Sequence, residues 1–378
     1  MTTKLRQSLY ATLAAVAFIA IFTLTVNPVV KIVEPMKKSM VSGTVLESDC
    51  QCTANGQRFN CEYTKHLTKL GLLSDKNIVD LETQQLPDPA FVTAMSENHY
   101  GEGLTLIANF RKMWPQRKLY VYDLGLSKKS LDRIKAMCLI EVRQFPFDDY
   151  PPYVETLSEY RWKPLIIAQT LNEFGAIWYM DSSVRWKKDK LNVVYNEVTC
   201  RKDGTWKLGL NLFNNATTEC RKSAYLLHSS SGHGVFPTTN PGVYIYIPTE
   251  LEKLKSRNEN HDAGFAFAVK TIDTVQILKW SNAKKIQKEL YVLCALEKNC
   301  MGPPHAQLTC SFGKNRFTEY AKCHRYDQSV INLLLSNANG YNSSNYVSSL
   351  GGDGAGIERD SNNSLTDKDF LCNGTKQS

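Results

Sequence analysis

Short apolar segments alternate with amphipathic stretches in the first half of the chain. The strand-like segments are residues 90–96, 118–124, 139–145 and 176–181. The stretches with helical spacing are residues 103–113, 127–137 and 164–174. Ser127 is a favourable helix N-cap, and Gly175 follows the last helical residue. Because strands that alternate with helices usually pair in parallel, the pattern predicts an α/β fold with a doubly wound, mostly parallel sheet.

A long apolar segment lies near the N-terminus. Residues 7–30 contain no charged residue, and Lys4 and Arg6 precede them. This length is sufficient to cross a bilayer as a helix, and the positive flank favours a cytoplasmic N-terminus. We therefore expect a transmembrane signal-anchor at 7–30, a cytoplasmic segment at 1–6, and a single-pass type II protein of the Golgi or endoplasmic reticulum lumen. A cleaved signal peptide and a secreted protein are the alternative.

Composition divides the remaining chain into three parts. Residues 31–85 are weakly periodic and contain three cysteines, which predicts a stem. Residues 86–336 contain the alternating strand and helix signals and form the expected main domain. Residues 337–378 are rich in Ser, Asn and Gly, and the composition predicts a flexible tail that does not bury enough apolar surface to fold alone.

Cysteines and glycosylation motifs indicate an oxidising compartment. The chain has 11 cysteines, an odd number, so one is expected to be free or intermolecular. The nearest-neighbour pairs are Cys200 with Cys220, Cys294 with Cys300, and Cys310 with Cys323. Four Asn-x-Ser/Thr motifs begin at Asn215, Asn342, Asn362 and Asn373. The chain lacks a Cys-x-x-Cys motif, which disfavours a zinc site.

The charge balance favours anionic partners. Lys and Arg total 45 against 37 Asp and Glu, giving a net charge of +8. Nucleotide phosphates, acidic glycans and membrane surfaces are compatible with this excess. The excess is modest, so we expect no nucleic-acid partner.

A carboxylate follows the fourth apolar segment, in the sequence GAIWYMDSSVRW. Ligands of doubly wound sheets bind beyond the carboxyl ends of the strands, so Asp181 would face the ligand crevice. The alternative is an Asx turn in which Asp181, Ser182 and Ser183 satisfy their own backbone.

The surrounding sequence resembles a known enzyme class. WKPLIIAQTLNEFGAIWYMDSSVRW is similar to the segment of GT-A glycosyltransferases in which a helix leads through a glycine into a strand ending in Asp-x-Asp. Residues 90–335, with KLYVYDLGLS, YRWKPLIIAQTL and YDQSVINLLL, resemble an uncharacterised, nematode-expanded animal family similar to nucleotide-sugar transferases. The resemblance implies a GT-A-like catalytic domain behind the N-terminal transmembrane helix. Its activity would be sugar transfer from a nucleotide-sugar donor to a glycan or glycoprotein acceptor.

The resemblance also implies a divalent cation, Mn²⁺ or Mg²⁺, held against the donor diphosphate. Asp181 would be its first ligand, and Ser183 stands where the second carboxylate belongs. A hydroxyl is a weaker, neutral ligand, so metal affinity should fall. Cations from the basic run at 185–190 would then share the neutralisation of the diphosphate, unless that run is only a solvated face.

Further site residues follow from the same resemblance. Ser96, Asn98 and His99, after the first strand, would bind base or ribose, and Lys163 would contact phosphate; an ordinary loop and an exposed lysine are the alternatives. For the base that activates the acceptor hydroxyl, Asp327 is preferred over Asp262, although Asp327 would also suit a helix cap. His228 and His233 would line the acceptor side.

Two other functions compete with sugar transfer. The first is a non-catalytic, transferase-derived binding protein of the secretory pathway, which Ser183 would permit. The second is a lumenal hydrolase, which ranks last because the sequence has neither a Gly-x-Ser-x-Gly nor a His-Glu-x-x-His motif.

Overall fold

The computed structural model describes residues 59–200, 209–210, 217–218, 220–256, 258–278 and 291–372. All of them belong to one compact unit, Cys50–Ser378. The predicted cytoplasmic segment, the predicted signal-anchor at 7–30 and the first part of the stem lie outside the described residues. Within those residues, we find no helix that combines the length and apolar character needed to cross a bilayer.

The described chain contains both short and long regular elements. The strands are β1 (Ala90–Met95), β2 (Leu119–Asp123), β3 (Ile140–Gln144), β4 (Ala176–Asp181), β5 (Val184–Trp186), β6 (Gly209–Leu210), β7 (Thr217–Thr218), β8 (Tyr225–Leu227), β9 (Ser230–Gly234), β10 (Glu259–His261), β11 (Phe265–Val269) and β12 (Ala355–Ile357). The helices are α1 (Thr64–Lys69), α2 (Tyr100–Met113), α3 (Lys128–Lys135), α4 (Trp162–Phe174), α5 (Leu191–Thr199), α6 (Leu251–Lys255), α7 (Ile272–Leu278), α8 (Tyr291–Leu296), α9 (Lys298–Met301) and α10 (Asp327–Ala338).

Six strands form the central sheet, in the order β3-β2-β1-β4-β11-β8. The first four are parallel, β11 runs antiparallel to β4, and β8 runs antiparallel to β11. The expected α/β fold with a mostly parallel sheet is therefore confirmed. The four predicted strands are all present, and the reversed strands on one side are an addition that the sequence pattern did not predict.

Both faces of the sheet are covered, which explains why β4 is apolar along nearly its whole length. Ile177 and Tyr179 pack on the face covered by α4, whereas Trp178 and Met180 pack on the face covered by α2. Helix α4 ends at Phe174 and is capped by Gly175, whose φ of 76° lies in the left-handed region. A Cβ there would approach the Pro87 Cγ to 3.1 Å, so glycine suits both the turn and the space.

The C-terminal residues differ from the flexible tail that their composition predicted. Strand β12 pairs antiparallel with β5. The side chains of Tyr346, Leu350 and Phe370 are buried in the two hydrophobic cores. A disulfide also joins Cys372 to Cys138, which follows α3. The segment 337–372 is folded because it packs on residues that are distant in sequence. The composition of a segment does not reveal contacts of this kind.

The described part of the predicted stem likewise packs on the domain. Leu67, Leu70 and Leu72 are buried in the core that also contains α4. The Val79 amide donates a hydrogen bond of 2.8 Å to the Lys270 carbonyl. The folded region therefore begins earlier than the predicted boundary at residue 86.

Three predicted disulfides are confirmed, namely Cys200–Cys220, Cys294–Cys300 and Cys310–Cys323. The Cys138–Cys372 bond was not predicted, because 234 residues separate its partners. Cys50 and Cys52 lie outside the described residues.

Candidate functional site

Asp181 ends β4 at the carboxyl edge of the parallel strands, between β1 and β11. Its register partner on β1 is Ala94, and its amide donates a 2.6 Å hydrogen bond to the Gly264 carbonyl, just before β11. A Cβ at position 264 would lie only 2.3 Å from the Asp181 Oδ2, so the absence of a side chain at Gly264 gives the carboxylate its space. The location is the crevice expected for ligands of a doubly wound sheet.

Lys163 bridges two carboxylates in this crevice. It is the second residue of α4 and exposes only 2% of its side chain. Its Nζ lies 3.0 Å from the Asp181 Oδ2 and 2.7 Å from the Asp327 Oδ2. Asp327 is the first residue of α10, and its side chain is 6% exposed. Residues from two helices and one strand therefore form a buried carboxylate–ammonium–carboxylate bridge.

The second oxygen of Asp181 is also bound. The Tyr179 hydroxyl donates a 2.9 Å hydrogen bond to the Asp181 Oδ1. The neighbouring Ser182 hydroxyl instead donates to Glu102. In the described structure, the Asp181 carboxylate thus binds Lys163 and Tyr179, and the alternative of an Asx turn with Ser182 and Ser183 is wrong.

Burial and charge set the protonation states of the bridge. Burial alone would lower the pKa of Lys163, but Asp181 and Asp327 outweigh it and raise that pKa, so the ammonium remains charged. Burial raises the pKa of Asp327, and Lys163 opposes the rise. Burial, reinforced by the Asp181 charge, raises the pKa of Tyr179, which keeps its hydroxyl a donor.

A cleft of about 60 Å³ opens beside the bridge. Its lining includes a third carboxylate, Asp262, in the loop before β11. Burial raises the pKa of Asp262, whose Oδ1 lies 3.5 Å from the Ser231 hydroxyl. The other polar lining residues are Tyr160, Ser183, Arg325, Gln328 and Arg359.

Unusual backbone conformations lie next to the bridge residues. Tyr160 has φ 54° and Tyr326 has φ 43°, both in the left-handed region that bulky residues rarely adopt. Such conformations cost on the order of 1–3 kcal/mol each and cluster at functional sites. Tyr160 precedes Lys163 by three residues, and Tyr326 directly precedes Asp327. The two unusual turns therefore lie just before two of the residues that form the bridge.

Arg161 anchors the start of α4 to the turn between α8 and α9. Its guanidinium is almost fully buried and donates hydrogen bonds of 3.0, 2.9 and 2.6 Å to the carbonyls of Ala295, Glu297 and Lys298. These carbonyls lie at the α8–α9 turn, where Cys294 and Cys300 are joined. Lys163 is therefore positioned by an anchor two residues before it.

The cleft unites only some of the residues singled out from the sequence. It contains Lys163, Asp181, Ser183, Asp262 and Asp327.

The remaining predicted residues lie elsewhere or bind each other. The Ser96 hydroxyl donates to the Asn98 side chain at 2.5 Å, and the exposed His99 contacts Glu102. His228 is buried, with its ring stacked on Trp178, and His233 is buried beside Phe312.

Sequence reasoning missed Tyr160, Arg325, Gln328 and Arg359 among the lining residues. Gln328 directly follows Asp327 in the sequence YDQSVINLLL, and Arg325 immediately precedes that sequence, so it already indicated their neighbourhood. Arg359 lies in the segment that was predicted to be flexible, and no local pattern would have identified it.

A divalent cation does not fit these residues. The Lys163 ammonium already occupies the space between Asp181 and Asp327, and a cation there would meet a like charge. Ser183 supplies a neutral oxygen where a second carboxylate would be needed. Across the described ranges, no three His, Cys, Asp or Glu side chains come close enough together to hold a metal ion.

Comparison with known proteins gives one family match and several distant structures. Residues 48–168 match the model of a family described as a protein of unknown function, DUF1647. No curated protein matches the chain. Three solved structures illustrate the similarity to glycosyltransferases.

The first is the galactosyltransferase LgtC with donor and acceptor sugar analogues, at 10% identity and a TM-score of 0.27, covering 48% of this chain and 57% of that chain. The second is core-mannan synthase A (CmsA/Ktr4) from Aspergillus fumigatus in an Mn/GDP form, at 10% identity and a TM-score of 0.32, covering 52% of this chain and 63% of that chain. The third is mouse xyloside xylosyltransferase 1 in its apo form, at 9% identity and a TM-score of 0.34, covering 69% of this chain and 84% of that chain. The chain thus spans less than two thirds of the first two structures.

Proposed function

We propose that the protein is a glycosyltransferase that transfers a sugar from a nucleotide-sugar donor to a glycan or glycoprotein acceptor. The observation that carries this proposal is the convergence of Asp181, Asp262, Asp327 and Lys163 in one cleft at the carboxyl edge of a mostly parallel sheet. Glycosyl transfer with inversion uses a carboxylate for the acceptor proton and cationic groups for the departing diphosphate. The cleft contains both.

Asp262 is the better candidate for the base, which reverses the order expected from the sequence. Asp327 is nearly inaccessible and bound to Lys163, whereas Asp262 is half-buried and its one polar side-chain contact, with Ser231, is long. A raised pKa also makes the Asp262 carboxylate a stronger base.

In the proposed reaction, the acceptor hydroxyl attacks the anomeric carbon of the donor while Asp262 takes its proton. The bond between the anomeric carbon and the diphosphate oxygen breaks, and its electron pair leaves with the diphosphate. Asp181 and Asp327 hold Lys163 in position, and the cationic groups of the lining stabilise the negative charge that develops on the leaving group. No step passes through a metal ion.

The size of the cleft sets a condition on donor binding. About 60 Å³ admits a few water molecules, whereas ligand pockets usually measure roughly 300–1,000 Å³. Ile357 and Arg359 form part of the lining and belong to the C-terminal segment. That segment is held by the pairing of β12 with β5 and by an Arg185–Asp360 ion pair of 3.1 Å. A complete nucleotide sugar would enter only if this segment moved outward.

The same observations favour one second candidate, a binding protein that retains the fold without turnover. Ser183 and the fully paired Asp181 would suit a site that holds a ligand but lacks metal-dependent chemistry. In that case the cleft would bind a nucleotide or sugar and release it unchanged.

The proposal also places the domain in the lumen of the secretory pathway, behind the predicted signal-anchor. Four disulfides in the described residues support an oxidising compartment.

The test uses the purified full chain with a panel of UDP- and GDP-sugars, measuring both donor-induced thermal stabilisation and release of the nucleoside diphosphate. Asp262→Asn should retain stabilisation and lose release by about 10²-fold or more. Asp132→Asn, an exposed carboxylate on α3, is the matched control. Stabilisation without release in the unaltered protein would establish the binding-protein function. If no donor produces either stabilisation or release, both the transferase function and the binding-protein function are refuted.

A further inference from the structure

Two arginines in the cleft form no ion pair within the described part of the chain. Arg325 lies in the turn before α10, and Arg359 follows β12, so they reach the cleft from different elements. Their guanidinium groups also form no side-chain hydrogen bond to other described residues. By contrast, Arg161 and Arg185 are bound to carboxylates and carbonyls.

The charges of the cleft show what these arginines are available to bind. Lys163 is matched by the two carboxylates that it bridges. Asp262 is the remaining carboxylate in the lining, and Arg325 and Arg359 both act on it electrostatically. The three carboxylates of the lining balance its three cations in total charge, but Arg325 and Arg359 are the cations that no carboxylate contacts as an ion pair among the described residues. Guanidinium forks match the oxygens of phosphate groups in spacing and direction, so the complementary ligand is a multiply charged phosphate.

The buried bridge argues against a metal ion in the same place. A cation that bound the Asp181 Oδ2 at an ordinary oxygen distance of about 2.1 Å would lie within roughly 5 Å of the Lys163 ammonium. The two positive charges would repel each other inside a partly dehydrated cleft. Arg325 and Arg359 belong to other elements of the lining than Lys163, the turn before α10 and the segment after β12.

We propose that Arg325 and Arg359 form a metal-independent binding site for the diphosphate group of a nucleotide donor. This inference rests on the proposed function for the identity of the donor. It assigns to two arginines the charge neutralisation that a divalent ion would otherwise supply.

The experiment is calorimetric titration of the purified full chain with inorganic pyrophosphate and with UDP and GDP, once in EDTA and once in Mn²⁺. We expect pyrophosphate and at least one of the two nucleotides to bind. For each, the Kd in EDTA should agree with the Kd in Mn²⁺ within about twofold. Arg325→Gln and Arg359→Gln should each weaken binding about tenfold or more, and Arg359→Lys should recover only part of the loss. Arg117→Gln is the matched control, because Arg117 pairs with Asp88 at the opposite edge of the sheet.

Each other outcome has a definite meaning. Nucleotide binding that appears only with Mn²⁺, or that is unchanged in both glutamine variants, would overturn the metal-independent site while leaving sugar transfer intact. Arginine-dependent binding of pyrophosphate without any nucleotide binding would support the anion site and contradict the nucleotide-sugar function. No binding of any of the three probes would overturn the inference, provided that circular dichroism shows a folded protein.

Discussion

Replacing Lys163 by methionine should destabilise the protein and do so in a pH-dependent way. Methionine has a similar volume but leaves Asp181 and Asp327 without their shared cation. Because their Oδ2 atoms lie 3.0 and 2.7 Å from one nitrogen, they are at most about 5.7 Å apart. At an effective dielectric constant of about 20, the repulsion between two such charges is at least about 3 kcal/mol. Removing one partner of a buried ion pair typically costs a similar amount of stability, about 3–5 kcal/mol.

The pH dependence follows from the sign of the pKa change. Without the ammonium, the pKa of Asp327 would rise further above its unfolded value, because burial and Asp181 both oppose its charge. A group with a raised folded pKa contributes stability that is present at low pH and lost as pH rises through that pKa. The loss in Lys163→Met should therefore be about 3 kcal/mol at pH 7.5 and shrink to about 1 kcal/mol at pH 4.5.

Urea unfolding followed by tryptophan fluorescence measures this difference. Lys129→Met, at an exposed position of α3, is the control and should change the unfolding free energy by less than about 0.5 kcal/mol. A second variant, Lys163→Met with Asp327→Leu, removes the like charge and should recover most of the loss at pH 7.5. An equal loss at both pH values, or no recovery in the double variant, would refute the electrostatic explanation.

Three other predictions concern catalysis, the α4 anchor and glycosylation. Burial raises the pKa of Asp262 above the ordinary aspartate pKa of about 3.9, so the transfer rate should fall as the pH drops through this raised pKa. In Asp262→Asn, the residual transfer rate should no longer show this fall at low pH. Arg161→Gln leaves three carbonyls short of a charged donor and should lower the urea unfolding free energy by about 2–4 kcal/mol; an unchanged value would contradict its anchoring role. The exposed Asn342 and Asn362 should carry glycans in the secreted or lumenal protein, seen as a mass decrease on deglycosylation that is smaller in each Asn→Gln variant; an unchanged decrease would exclude that position.

The parallel half of the sheet was predictable because each strand and helix there has a local signature. Apolar runs, the Ser127 cap and the Gly175 turn depend on neighbours in sequence, and the Ser127 hydroxyl does accept a hydrogen bond from the Ser130 amide. The carboxyl end of β4 then placed Asp181 at the cleft from topology alone. Lys163 was identified as a site residue, but its bridge to two carboxylates was not.

The missed features all depend on contacts between distant residues. Arg359 reaches the cleft only because β12 pairs with β5, about 170 positions earlier in the chain. Ser, Asn and Gly in its surroundings predict a flexible segment, whereas the buried Leu350 and Phe370 and one disulfide fold it. Ser96 and Asn98 are not among the lining residues of the cleft; a short-range hydrogen bond joins their side chains, and their binding role stays a prediction.

The bond between Cys138 and Cys372 orders events during synthesis of the chain. At about 5–20 residues per second, the second sulfur is made roughly 10–50 s after the first. During that interval six other cysteines are made and become available to the Cys138 thiol as wrong partners, namely Cys200, Cys220, Cys294, Cys300, Cys310 and Cys323. Reshuffling of such bonds takes seconds to hours. Correct pairing thus depends on early formation of the three local bonds, Cys200–Cys220, Cys294–Cys300 and Cys310–Cys323, or on a disulfide isomerase. A chain that stops before residue 372 leaves Cys138 without its partner.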